Sequence, residues 1–258
     1  MKRWSTAVIV AAMMLVPTAA HAGFTPSCLA GINPFAATKV PAISVCANGV
    51  SFTFSTFSGT GKPYTLATQT RQLVGGGSFT LSAIYNNDPF VSFTFSSTVL
   101  PRFGVVNFDV YFTTPVVGGG YTNASSAGTL NVTADGRDAS ALVNTGAYPS
   151  YISGYADATN LNVNTGSGPC SAATTGSATT ATTACNPPGA STSFAPISPG
   201  TLSSRLSYAQ SAVGGSSTAS WTGIVSLTST TVPEPATVTL ICAGLLAIGA
   251  VRFRRSRS

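Results

Sequence analysis

Period-two alternation of apolar and polar side chains constrains this chain more than any other feature. Phe79, Leu81 and Ala83 alternate with Ser78, Thr80 and Ser82, and Val91, Phe93 and Phe95 with Ser92, Thr94 and Ser96. Val106, Phe108, Val110 and Phe112 alternate with Asn107, Asp109 and Tyr111. Phe52 and Phe54, with Phe57 beyond them, sit among Ser51, Thr53 and Ser55. Leu130 and Val132, Leu161 and Val163, and Trp221, Val225 and Leu227 continue the pattern. Successive side chains of a strand point to opposite faces, so this pattern predicts half-buried antiparallel strands with a hydroxyl face outward. Outward serine and threonine are also expected to pair across strands. Glycine clusters at 75–77, 118–120 and 214–215 punctuate the strands and read as loops or hairpin ends. No comparable helical period occurs in the body. The expected fold is all-β, an antiparallel β-sandwich or jelly-roll-like domain over residues 23–231.

Two further features of the body need separate readings. Val50-Ser-Phe-Thr-Phe-Ser55 recurs identically at Val91–Ser96. Two copies cannot build a solenoid, which needs several stacked units, and strands in a biased composition resemble one another without duplication. From Ala158 to Ser204 there is no charged residue, and within that stretch 165–193 holds 13 serines and threonines in 29 residues. Its scarcity of large apolar side chains predicts an exposed loop. Leu202 to Thr228 returns to strand pattern and closes the domain.

The two ends are different. Lys2 and Arg3 precede an apolar run from Ala7 to Val16 and the small-x-small sequence Ala20-His21-Ala22. This is the order of a secretory signal peptide, residues 1–22, with Gly23 as the first mature residue. At the other end, Val232-Pro233-Glu234-Pro235 precedes an apolar run at 236–251 and then Arg252, Arg254, Arg255 and Arg257. Pro233 and Pro235 fix φ and disfavour helix in the residue before each, so the motif is extended and displays Glu234. The 16 apolar residues span ~24 Å as a helix at 1.5 Å per residue, short of a ~30 Å hydrocarbon core. Snorkelling arginines make up part of the difference. Four arginines after the run fit the positive charge on the cytoplasmic side of a transmembrane helix and argue against a buried core helix.

The tail 232–258 resembles the PEP-CTERM sorting signal, also catalogued as the C-terminal segment of some ice-binding proteins. The resemblance rests on Val232, Pro233, Glu234, Pro235, the apolar run and the arginine cluster, about a tenth of the chain. It implies recognition by an exosortase in a Gram-negative bacterium that makes exopolysaccharide. It further implies export by signal peptidase and the secretion machinery, a transient anchor in the inner membrane, and release to or attachment at the cell surface.

The net charge of +6 belongs to these ends. The segment 23–231 carries Lys39, Lys62, Arg71, Arg102, Arg137 and Arg205 against Asp88, Asp109, Asp135, Asp138 and Asp157. It is nearly neutral and carries no basic patch of the kind nucleic acid requires.

The exported body has four cysteines, Cys28, Cys46, Cys170 and Cys185. In an oxidising compartment they predict two disulfides out of three pairings. The local pairing, Cys28–Cys46 and Cys170–Cys185, is expected. A zinc site would need histidine or Cys-x2-Cys spacing and has neither, so no metal or cofactor is expected. The one histidine, His21, leaves with the signal peptide, and the body has no glutamate. Nucleophilic catalysis of the Ser/His/Asp or Cys/His kind therefore lacks its base. Asp135-Gly-Arg-Asp138 has ordinary turn composition.

The expectation is a non-enzymatic, exported surface or matrix protein with a structural or adhesive role in exopolysaccharide. Ice binding through threonine-faced strands is one alternative, although Thr53 and Thr94 are flanked by serines instead of further threonines. A glycan hydrolase using two of the five aspartates is the other.

Overall fold

The computed structural model describes residues 40–229 apart from 56–62, 75, 87–88, 118, 146–149 and 176. The segments expected to form a signal helix, 1–22, and a transmembrane helix, 236–251, lie outside the described residues. Among the described residues no helix is long and apolar enough to cross a membrane.

The described chain is built of strands and one short 3-10 turn at Pro101–Phe103. The strands are β1 (Ala42–Ala47), β2 (Val50–Phe54), β3 (Tyr64–Leu73), β4 (Gly77–Asn86), β5 (Phe90–Val99), β6 (Val105–Pro115), β7 (Tyr121–Asp135) and β8 (Ser140–Asn144). They continue with β9 (Ile152–Ala156), β10 (Thr159–Asn160), β11 (Cys170–Ala173), β12 (Thr180–Cys185), β13 (Ala190–Ile197), β14 (Thr201–Val213) and β15 (Ser216–Thr228). Sheet I runs β10-β9-β14-β6-β1-β2, with β8 on β14 and β11 on β8. Sheet II runs β12-β7-β15-β5-β4-β3, with β13 also on β7. Every pairing is antiparallel. The two sheets pack as a β-sandwich.

The alternation in the sequence is what fills the space between the sheets. Phe79, Leu81 and Ala83 from β4, Val91, Phe93 and Phe95 from β5, and Trp221, Val225 and Leu227 from β15 are buried. They meet Val106, Phe108, Val110 and Phe112 of β6. Phe93 of sheet II stacks on Phe112 of sheet I with centroids 4.2 Å apart and planes 12° from parallel. Phe108 stacks on Tyr208 of β14 at 5.1 Å. Offset aromatic pairs of this kind add about 0.5–1.5 kcal/mol beyond the area they bury. A buried polar bridge also links the sheets. Ser97 Oγ of β5 lies 2.6 Å from Tyr208 Oη and hydrogen-bonds Gln210 Oε1, while Gln210 Nε2 donates to Ser217 O at 2.8 Å.

The glycine clusters at 75–77, 118–120 and 214–215 fall at the β3–β4, β6–β7 and β14–β15 connections. Gly214, at φ 74°, takes the left-handed conformation that only glycine adopts without penalty. The repeated hexapeptide occupies two different places. As Val91–Ser96 it lies inside sheet II, with Val91, Phe93 and Phe95 buried. As Val50–Ser55 it forms the edge strand of sheet I, where Val50 is 41% exposed.

Two expectations are corrected. The segment 165–193 is not a loop throughout. It carries β11, β12 and the start of β13, which pair with β8 and β7. Threonine is β-branched and suits a pleated strand, and β7 is long enough to take β12 on one half and β13 on the other. Leu161 and Val163 are buried but stand in irregular chain after β10. They fill the core where Ile152 bridges Thr165.

Candidate functional site

The expected disulfide Cys170–Cys185 is present. Cys170 is in β11 of sheet I and Cys185 in β12 of sheet II, so the bond ties the two sheets together at one side of the sandwich. Cys46 is also disulfide-bonded, and Cys28, its expected partner, lies outside the described residues. So do Ala20, Ala22 and Gly23, the motif Val232, Pro233, Glu234 and Pro235, and the arginines Arg252, Arg254, Arg255 and Arg257.

Of the aspartates, Asp88 is outside the described residues and the other four have structural work. Asp109 pairs with Arg205 through two bonds, Nε to Oδ1 at 2.7 Å and Nη2 to Oδ2 at 2.8 Å. Burial pushes its carboxyl above the ordinary value, against the lowering effect of Arg205. Asp157 accepts from Thr201 N at 2.9 Å and Gly200 N at 3.1 Å, which closes the turn before β14. Asp135 and Asp138 bracket the β7–β8 turn, with Asp138 at φ 52°, and Thr180 Oγ1 donates to Asp135 at 3.2 Å. Among the described residues no three metal-ligating side chains come together.

The surface hollows include two larger ones, beside a smaller one of about 200 Å³ lined by Tyr151, Cys170 and Cys185. One of about 300 Å³ at the edge between β2 and β3 is apolar, lined by Val50, Phe52, Leu73, Val74, Phe103 and Val106 with Ala47 and Asn48. The other, about 330 Å³, is lined by Ser150, Asn164, Ser167 and the Pro187-Pro188-Gly189 turn with Gly166. Neither has a titratable side chain among its described lining residues.

The largest organised array of polar groups is the outer face of sheet II. The register places hydroxyls in rows that run across the strands. One row is Thr182, Thr133, Thr218, Thr98 and Ser78. The next is Asn131, Ser220, Ser96, Thr80 and Thr70, and the third is Thr129, Thr222, Thr94 and Ser82. Neighbours in a row are ~4.8 Å apart in the strand-pairing direction, and rows repeat every ~6.8 Å along the strands. The hydroxyls pair within rows. Thr133 and Thr182 are 2.9 Å apart, Thr129 and Thr222 2.7 Å, Ser82 and Thr94 2.7 Å, and Ser96 and Ser220 3.2 Å. All of these residues are half-buried or exposed. Asp135, at one corner, is the only charged side chain among the described residues of the face.

The outer face of sheet I is closed by comparison. Ser44, Asp109, Tyr111, Ser203, Arg205 and Ser207 on that face are all buried.

A two-sheet antiparallel sandwich with one open hydroxyl face is the class of domain these observations define. The terminal segment supplies the identification. Residues 231–255 match the PEP-CTERM protein-sorting motif. The chain thus carries this sorting motif at its C-terminus, a signal for export, surface sorting and processing by an exosortase. No curated protein matches the chain. Among solved structures, one similar chain is TmCBM61 in complex with β-1,4-galactotriose. It is 9% identical, with a TM-score of 0.20, over 53% of this chain and 71% of that one.

Proposed function

We propose that the protein is a surface or extracellular-matrix component whose β-domain has a structural or adhesive, non-enzymatic role in the exopolysaccharide layer to which its tail delivers it. The open hydroxyl face of sheet II, whose three rows hold no charged side chain, carries this reading. Such a face exchanges hydrogen bonds with water and with hydroxylated polymers alike, and Asp135, the one charged side chain among its described residues, stands at a corner of it. The aspartates support the same reading, because Asp109 and Asp157 are committed to internal bonds. The test is a chromosomal deletion in the producing bacterium, complemented with the full chain. The deletion should reduce matrix cohesion, and the protein should be recovered with the matrix only when the exosortase is present. An unchanged matrix, with the protein free in the medium, would overturn the proposal.

Ice binding is supported by one observation. Thr182, Thr133, Thr218 and Thr98 form a threonine row across the strands. Twist of ~20° per strand curves this seven-stranded sheet away from a plane, which suits a flexible polymer better than a rigid lattice. Thermal hysteresis of a concentrated solution tests this reading, and its absence excludes it.

A further inference from the structure

We propose that the outer face of sheet II is the adhesive surface and that its ligand is an uncharged polysaccharide lying across the strands. The proposal rests on the matrix role above and names the site and ligand class within it.

Availability points to this face. The outer side of sheet I is buried through Ser44, Asp109, Tyr111 and Arg205, whereas the rows of sheet II are open.

The chemistry then selects the ligand. Each hydroxyl pair, such as Thr129–Thr222 or Ser82–Thr94, uses one O–H internally. The second O–H and the remaining lone pairs stay available, so every pair both donates and accepts. A sugar hydroxyl does the same. An anionic polymer would look for arginine or lysine, but the rows contain none and Asp135 would repel it.

A second feature matches sugar rings in particular. Beside the row through Thr222 and Thr94, the register sets Ala127, Ile224, Ser92 and Ile84 in line across the same strands. Ile224 is 40% and Ile84 45% exposed. This rail, apolar except for Ser92 between the two isoleucines, runs parallel to the hydroxyl row. A pyranose ring has C–H surfaces as well as hydroxyls, so a chain laid across the strands can rest its rings on Ile224 and Ile84. Its hydroxyls then reach Thr222 and Thr94.

Each hydrogen bond to the ligand replaces one to water, so each contributes little on its own. No aromatic ring stands in the central rows to grip a single sugar. Recognition is therefore spread over many weak contacts, and affinity grows with ligand length.

The experiment is native affinity electrophoresis of the full chain in mild detergent. The gels contain dextran as the neutral probe, alginate as the anionic probe, or the neutral and acidic fractions of the producer's own exopolysaccharide. Thr222→Glu and Ile224→Glu place charge on the rail and its neighbouring row. Val74→Glu, at a turn residue 85% exposed and away from the face, is the control. Circular dichroism melts verify folding of all three.

The expected result is retardation of wild type and Val74→Glu by a neutral polymer, stronger for longer chains. Retardation should be at least about tenfold weaker for the two face variants. Face variants that bind like wild type would overturn the site while leaving the matrix role intact. Retardation by acidic polymers alone would overturn the ligand class. A wild type retarded by none of the four overturns the proposal, and the matrix role falls with it only if deletion also leaves the matrix unchanged.

Discussion

Arg205 and Asp109 form a two-bond ion pair on the outer side of sheet I, Nε to Oδ1 at 2.7 Å and Nη2 to Oδ2 at 2.8 Å, with Asp109 fully buried. They lie diagonally on β14 and β6, where Arg205 stands opposite Tyr111 with its guanidinium 5.2 Å from that ring. Removing one partner strands the other charge in a site with little water. Asp109→Ala should therefore lose about 3–5 kcal/mol of unfolding free energy. The double variant Asp109→Leu/Arg205→Met should recover most of that loss, because an apolar pair of similar volume costs no ion desolvation. Urea unfolding of the three proteins checks both statements.

The same pair sets a pH dependence. Burial raises the Asp109 carboxyl above its ordinary value, and Arg205 only partly offsets it. With the folded value raised, the folded state holds the proton more tightly than the unfolded chain. This contribution to stability is full below the unfolded value, and it is lost as pH rises through the folded value. Unfolding free energies of wild type and Asp109→Asn, measured from about pH 3 to about pH 7, should show wild type losing stability relative to the variant as pH rises across the acid range. A difference that moves the other way would mean that attraction to Arg205 outweighs burial.

These two residues also show what can and cannot be read from the sequence. The strands β4, β5 and β6 are legible because one face is buried and the other is hydroxyl, so the period of two is plain. In β14 every residue from Thr201 to Gln210 is buried, and Asp109 and Tyr111 of β6 are buried with them. Burial of both faces hides the facts that Arg205 is internal and that Asp109 is its partner. The one signal available was charge at an alternating position between Phe108 and Val110. β12 failed to declare itself for the opposite reason. It is exposed along most of its length and carries threonine and alanine on both sides, which gives no alternation. The hydroxyl rows run perpendicular to the chain, so they depend on register, which local sequence does not specify. Thr182, Thr133, Thr218 and Thr98 come from four separate strands and line up across them.

A pair of strand glycines makes a third prediction. Gly128 and Gly223 face each other across β7 and β15. A side chain at Gly223 would overlap the Phe93 ring, and one at Gly128 would come within 2.8 Å of Thr222 O. Both glycines leave room for Ile152 of sheet I, whose Cδ1 lies 3.1 Å from a Cβ built at Gly223. Gly223→Ala should therefore destabilise by about 1–3 kcal/mol, as overpacking does, despite the better strand propensity of alanine. Gly168, where nothing lies within 4 Å of a built Cβ but φ is 88°, isolates the backbone effect. Alanine there should cost only the left-handed strain. Thermal melts of the two variants separate packing from backbone.

The disulfide makes a fourth. Cys170–Cys185 closes a separation of 15 residues and holds an edge of sheet I to an edge of sheet II. Limiting the freedom of the unfolded chain over a loop of that length stabilises by roughly 3 kcal/mol. Cys170→Ser/Cys185→Ser should show that loss in denaturant unfolding, with a slope equal to or somewhat above wild type because the unfolded chain is no longer cross-linked. Amide exchange should rise first in β11 and β12, which each pair with one neighbouring strand, while β5 and β15 at the centre of sheet II stay protected.

The tail makes the last. Glu234 is the only glutamate in the chain, and proline on either side of it predicts an extended motif in which an enzyme can read the side chain and the peptide together. It lies inside the matched sorting motif. Glu234→Ala removes the carboxylate without freeing the backbone, so exosortase processing should fail while export proceeds. Cells carrying the exosortase should then accumulate an uncleaved form with the membrane fraction, visible by immunoblot as a species larger than the processed protein. Replacing Arg252, Arg254, Arg255 and Arg257 with serine tests a different step. Without positive charge to hold the cytoplasmic side, the tail should pass through the membrane. The uncleaved chain should then appear outside the cell, including where the exosortase is absent. Normal processing of Glu234→Ala would show that the two prolines and the apolar run suffice for recognition.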